Sequence, residues 1–213
     1  MKIFKFDVDE AFAKKNNELL RDSVRLRNSG LVMGLVLILA GIAVYVLVDA
    51  IWSITIGIGL ALFGIMMAIV GVVASRKVGT AQELYNAYPL APAVIAEVNE
   101  RDMVLMALVN TNVDPNLPPR WGAALRTVTT IPGLANRTVG TKIPVAAVSG
   151  HRVSSDQDHW QQITPMPIAW GTPDQDIVKI ARTSIPEEEW HRLDRARKRL
   201  TDVKATKFDL LVL

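Results

Sequence analysis

Two apolar runs decide most of what this chain can fold into. Leu31–Val48 carries no charged residue, and neither does Ala50–Ser75; only Asp49 separates them. A helix rises 1.5 Å per residue, so about 20 residues cross a hydrocarbon core about 30 Å thick. The first run reaches that length when Ser29, Gly30 and Asp49 lie in the interface, and the second can span with tilt. A secretory signal fits poorly, because a long, charged segment precedes the first run and no small-residue cleavage site follows it. A buried hairpin of a soluble protein fits poorly too, since about forty such residues would need a shell the rest of the chain cannot supply. Disorder and an ordinary soluble enzyme are excluded by the same block.

Lysine and arginine set the expected orientation. Lys2, Lys5, Lys14, Lys15, Arg21, Arg25 and Arg27 precede the first run, Arg76 and Lys77 follow the second, and none lies between. The positive-inside rule predicts a multi-pass protein of the cell membrane with both termini cytoplasmic and a short outer turn, where Tyr45 and Trp52 can sit at the interface. Gly57, Ala61, Gly64, Ala68, Gly71 and Ser75 recur at steps of four and three, a small face repeating every 3.5 residues. Gly34 and Gly41 offer a matching face on the first span, with Gly30 four residues earlier. Small residues allow close helix approach in lipid, and packing of the two spans on each other is their simplest use. Ile54, Ile56, Ile58, Leu62, Ile65 and Met66 then face lipid or another subunit. No ionisable residue lies inside either run, which argues against a transporter, channel or pump that itself moves charge.

The expected organisation is an N-terminal cytoplasmic amphipathic arm at 1–29, a hairpin at 30–76 with spans about 30–48 and 51–75, and a β-rich cytoplasmic domain at 80–213. In the arm, 7–28 reads as a helix with Asp7 or Asp9 as N-cap. In the domain, apolar β-branched runs at 93–99, 103–110, 123–131, 143–149 and 161–169 are punctuated by Asp114-Pro115, Pro118-Pro119, Pro132-Gly133 and Gly171-Thr172-Pro173. Segment 176–185 suits strand or helix. Ser184 with Glu187 reads as a capping box opening a basic amphipathic helix over about 185–203, and 208–213 reads as a last strand. The fold class is α+β: a transmembrane helical hairpin followed by a small β-barrel or sandwich with a C-terminal helix.

No reaction is announced by the residues. The chain has no cysteine, so disulfides, thiolate metal sites and cysteine nucleophiles are absent. Asp156, Asp158 and His159 could hold a metal weakly, but they also read as a solvated hairpin loop. Ser149-Gly150-His151 lacks a nucleophile elbow. Phosphate-binding and dinucleotide loops are missing. Glu187, Glu188 and Glu189 suit a helix start, where the dipole favours negative charge. No catalytic, cofactor or metal residue is assigned, and no cofactor is expected. Arg120, Trp121, Trp170, Arg192, Arg195 and Arg199 form the candidate binding surface: aromatics beside arginine can stack a base or a headgroup, and the last helix also carries Arg197, Lys198 and Lys204. Phospholipids and integral membrane subunits rank above nucleic acid as partners, because the hairpin already holds the domain near a membrane.

Several segments carry a resemblance. Tyr88-Pro89-Leu90-Ala91-Pro92-Ala93-Val94-Ile95-Ala96-Glu97-Val98-Asn99, Thr111-Asn112-Val113-Asp114-Pro115, Pro118-Pro119-Arg120-Trp121 and Pro165 through Asp174 resemble an uncharacterised domain family of corynebacteria and related actinobacteria, over about 80–200. That resemblance implies source and fold and assigns no activity. In size and architecture the chain also resembles the accessory subunits of the actinobacterial supercomplex joining a cytochrome bc complex to a cytochrome oxidase. The expectation is therefore a non-catalytic accessory or assembly subunit of an inner-membrane complex. The alternative is a membrane-tethered module whose small barrel recognises a lipid headgroup, peptide or nucleotide.

Overall fold

The computed structural model describes residues 2–76 and 79–213, the side chains of Ser75 and Arg76 excepted. The chain divides into two compact units. One joins residues 1–17 to 80–213, and the other is the hairpin at 18–79. The hairpin is thus inserted, in the chain, between two pieces of a single domain.

Helix α1, Glu10–Asn16, is capped by Asp9, whose carboxylate accepts the Phe12 N–H at 2.9 Å. The predicted continuous helix over 7–28 does not form. Asn17 turns extended at φ −79° and ψ 108°, and a new helix, α2, runs Glu18–Leu47. The reason is a long-range contact: the buried Asn17 amide reaches the sulfur of Met166 at 3.2 Å inside the domain, so the chain spends this residue on packing. The second part of the expected arm is instead the first turns of α2.

Helices α2 and α3, Trp52–Arg76, are both long and apolar enough to cross a membrane. They close on each other through glycine. A Cβ added at Gly34 would lie 2.6 Å from the Gly64 carbonyl oxygen, one at Gly41 would lie 2.6 Å from that of Gly57, and one at Gly30 would lie 3.0 Å from Gly71 Cα. Ala61 and Ala68 border these crossings, opposite Gly41 and Gly34. The Ser75 side chain and Lys77 fall outside the described residues. Gly59, one step off the stripe, faces open space.

The other unit is built on a six-stranded antiparallel sheet in the order β5-β4-β1-β2-β3-β6. Its strands are β1 Leu90–Val98, β2 Met103–Asn110, β3 Trp121–Val128, β4 Lys142–Ser149, β5 Ile163–Pro167 and β6 Leu210–Val212. The sheet curls, so that β5 touches β2 and β3 without neighbouring either in the ladder. The result is a half-barrel. Burial on both faces explains why β2 reads as an unbroken apolar run, with Met103–Val109 all buried. Pro92 on β1 stands opposite Pro144 on β4. Neither can donate a ladder bond, so pairing them confines the loss to one site. A bulge between Ile95 and Glu97 bends β1.

Three helices follow, α5 Gln175–Thr183, α6 Glu187–Arg197 and α7 Leu200–Lys204, the last two in place of the single one expected over 185–203. Ser184 does not cap α6. Its hydroxyl donates to the Ile180 carbonyl at 2.8 Å, closing α5, and Pro186 takes the N-cap position. Segment 176–185 is accordingly mostly helix. The capping box lies elsewhere, at Thr80 and Glu83, opening α4, Ala81–Ala87. Helix α6 lays Trp190, Leu193 and Ala196 onto β1 and β2.

Residues 2–9 are stitched into this domain. The Lys2 carbonyl accepts the Leu90 N–H, Gly171 accepts that of Asp9, and the Gln82 side chain bonds both Val8 N–H and Phe6 carbonyl. Glu10 accepts the Gln82 N–H at 2.9 Å in the first turn of α4. The Phe6 ring packs edge-on against Tyr85, centroids 5.1 Å apart. Tyr85 is buried, which pushes its phenol well above its ordinary value, and its hydroxyl donates to the Pro167 carbonyl at 2.7 Å.

Candidate functional site

Five of the six surface residues picked from the sequence meet in one cleft of about 500 Å³, lined by Pro119, Arg120, Trp121, Arg192, Arg195, Ala196, Arg199 and Leu213. Each element has a reason to be there. On α6, Trp190, Leu193 and Ala196 face the sheet, so Arg192 and Arg195, three apart, share the neighbouring stripe, and Arg199 extends it beyond the helix end. Arg120 is set by its backbone. Its N–H donates to Asn110 Oδ1 at 3.0 Å, and its carbonyl accepts from the Thr111 N–H at 2.9 Å and hydroxyl at 3.0 Å. That leaves the exposed side chain at the mouth of β3. Trp121 opens β3 and is half-buried, with the Arg192 guanidinium 5.4 Å from its ring centroid. The Trp121 carbonyl accepts the Leu213 N–H at 3.0 Å, which brings the last residue to the cleft.

Charge in the cleft is only partly balanced. Arg192 lies 3.3 Å from Glu188, and Arg199 lies 3.0 Å from Asp202. Arg120 and Arg195 make no ion pair among the described residues.

Trp170 does not belong to this surface. It is fully buried: its indole N–H donates to the Thr130 carbonyl at 2.8 Å, and the Arg126 guanidinium sits 4.8 Å from its ring centroid. It follows directly on the buried run Met166–Ala169, and that apolar context is the signal that marks it as core.

The other polar candidates stay apart. His159 Nδ1 lies 2.8 and 3.0 Å from the two carboxylate oxygens of Asp156, and this hydrogen bond holds the Asp156 carboxyl below its ordinary value. The Asp158 carbonyl accepts the Val113 N–H. Among the described residues no group of three His, Asp or Glu side chains is placed to hold a metal. His151 rests 5.5 Å from the Phe208 ring, while Ser149 pairs with Ile163 in the ladder, so the two form no nucleophile–base pair.

Of the three glutamates opening α6, Glu187 is held below its ordinary value by its hydrogen bond from Lys142, at 2.7 Å, whereas burial pushes Glu189 up. The Lys142 ammonium also lies 5.2 Å from the Trp190 ring centroid, so this pair pins the start of α6 to the head of β4. Sequence reasoning missed that tie, because the partners are 45 residues apart.

Comparison with known proteins agrees with this architecture. A crystal structure described as that of a "putative membrane protein" from Corynebacterium diphtheriae is 57% identical in sequence, covers 58% of this chain and 99% of its own, and superposes with a TM-score of 0.56. No curated protein matches the chain. Residues 76–201 match the family model described as "Protein of unknown function (DUF3239)", which is more than half of the chain. This chain belongs to that family of unknown function, DUF3239.

Proposed function

We propose that this protein is a non-catalytic module anchored in the cell membrane by its two-helix hairpin, with the half-barrel and both termini on the cytoplasmic side, and that it acts by binding other membrane components. One observation carries the reading: the two surfaces of the hairpin are divided by size. Gly30, Gly34, Gly41, Gly57, Gly64 and Gly71 are spent on the internal crossing, while Val32, Leu35, Leu39, Ile58, Leu62 and Ile69 are exposed. In water such a surface would aggregate; among acyl chains it is solvated. The cluster of Lys and Arg before the apolar run at Leu31, with none between the two runs, supports the cytoplasmic side. Cysteine scanning tests it. Ala50→Cys is expected to react with an impermeant thiol reagent added outside intact cells, and Ser155→Cys only after permeabilisation. Labelling of Ser155→Cys in intact cells would overturn the orientation.

A finer reading makes the protein an accessory or assembly subunit of an inner-membrane complex, with the actinobacterial cytochrome bc–oxidase supercomplex as the candidate. An apolar notch of about 400 Å³ on the hairpin, lined by Gly41, Ile42, Tyr45, Ile54, Gly57, Ile58 and Ala61, favours it. The notch can take a large side chain from a neighbouring helix. Purification of the tagged chain in mild detergent, read by mass spectrometry and a haem absorbance spectrum, tests this reading. Co-purifying cytochromes support it, and a colourless, partner-free protein removes it.

A further inference from the structure

We infer that the arginine cleft between β3 and α6 is a binding site for a phosphorylated ligand, held through its phosphate groups. The site goes beyond the anchoring role and does not depend on it.

Three features point to phosphate. Four arginines line one cleft: Arg192 and Arg195 on α6, Arg120 just before β3 and Arg199 just after α6. Guanidinium presents paired N–H donors in a rigid fork that matches phosphate oxygens two at a time. Glu188 and Asp202, which do not line the cleft, each stand beside one of its arginines, while Arg120 and Arg195 make no ion pair among the described residues and are left for a ligand carrying about two negative charges. A terminal phosphate or a pyrophosphate carries that charge near neutral pH.

The remaining walls say what else the ligand has. Pro119, Trp121, Ala196 and Leu213 give the cleft an apolar side next to the arginines. Its volume of about 500 Å³ exceeds what a bare phosphate fills and lies in the range of small-molecule sites. It is also a single cleft, which suits one or two phosphates better than a nucleic-acid backbone tracked along a groove. A soluble phosphorylated metabolite and a phospholipid with a terminal phosphate share this chemistry.

The test uses the full-length chain in phosphatidylcholine nanodiscs. Calorimetric titration with inorganic pyrophosphate reads the soluble source. A second preparation containing phosphatidic acid, with retained lipid measured by native mass spectrometry, reads the lipid source. Saturable pyrophosphate binding supports a soluble ligand, and selective retention of phosphatidic acid without pyrophosphate binding supports a lipid. In either arm R120A/R195A is expected to weaken binding at least tenfold. R101A/K179A, which removes the same charge from exposed sites outside the cleft, is expected to leave binding within about twofold. Near-UV circular dichroism confirms that both variants stay folded. The inference is overturned if neither probe binds saturably, or if the two double variants weaken binding equally.

Discussion

The hairpin and the half-barrel solve the same problem with opposite materials. In the half-barrel the centre is filled by large side chains, among them Trp170, Tyr85, Ile95, Met106, Leu108 and Leu193, each almost wholly buried. Between residues 30 and 74 the hairpin buries Gly30, Gly34 and Gly41 on one helix, facing Gly71, Gly64 and Gly57 on the other, with Ser53 as the remaining buried position. The difference follows from the solvent. Water rewards removal of apolar area at about 25 cal/mol per Å², so a domain in water gains by placing its largest side chains inside. Lipid gives no such reward, so helices in lipid gain from backbone contact, which only the smallest residues permit. The large residues of the hairpin therefore point outward, and those of the half-barrel inward.

The sharpest way to break this contrast is to remove bulk from the half-barrel. Trp170→Ala deletes a fully buried indole and its bond to Thr130, and is expected to cost about 3–5 kcal/mol, read by denaturant unfolding with near-UV detection. The converse is to add bulk to the hairpin. Gly64→Leu places a side chain where a Cβ alone already meets the Gly34 carbonyl at 2.6 Å, whereas Gly59→Leu meets nothing within 4 Å. Spin labels at the exposed positions Met33 and Val70 should move apart by on the order of 1–2 Å in the first variant and keep their distance in the second. Equal responses would show that the glycine crossings do not set the spacing.

The smallest effect lies at the rim of the half-barrel. The hydrogen bond from His159 depresses the Asp156 carboxyl, so its contribution is present above the ordinary carboxylate value of about 3.9 and is lost as pH falls through the lower folded value. Amide protection in 153–160, relative to the intrinsic exchange rate at each pH, is expected to fall below about pH 4 while the β2 amides stay protected, and Asp156→Asn should remove that step.

Much of this was legible in the residues themselves. The two spans followed from charge-free length, five strands from β-branched runs between turn signals and the sixth from the apolar tail at 208–213, with ends off by a few residues. The gathering of Arg120, Trp121, Arg192, Arg195 and Arg199 was anticipated as a surface, though not as one cleft. What sequence could not carry was nonlocal. Asn17 ends α1 because of Met166, far along the chain, and Ser184 serves the helix before it because Pro186 occupies the next cap. Trp121-Gly122 and Trp170-Gly171 look alike as dipeptides. One lies at a strand's open start and the other at the end of a buried run, and only their neighbours tell them apart. Thr80-Ala81-Gln82-Glu83 was a readable capping box that sequence reasoning placed elsewhere.

The stitching of residues 2–9 onto Leu90, Gln82 and Gly171 has a consequence for synthesis. These residues are made before the membrane helices, and their bonding partners are made after them, 74 residues later in the case of Val8 and Gln82. At about 5–20 residues per second, the first segment waits several seconds at the ribosome exit while the hairpin is being made. Throughout that interval Phe6, whose ring packs on Tyr85, has no domain to enter. The half-barrel is a domain that can be finished only after the hairpin has been delivered, so the order of assembly is written into the order of the chain.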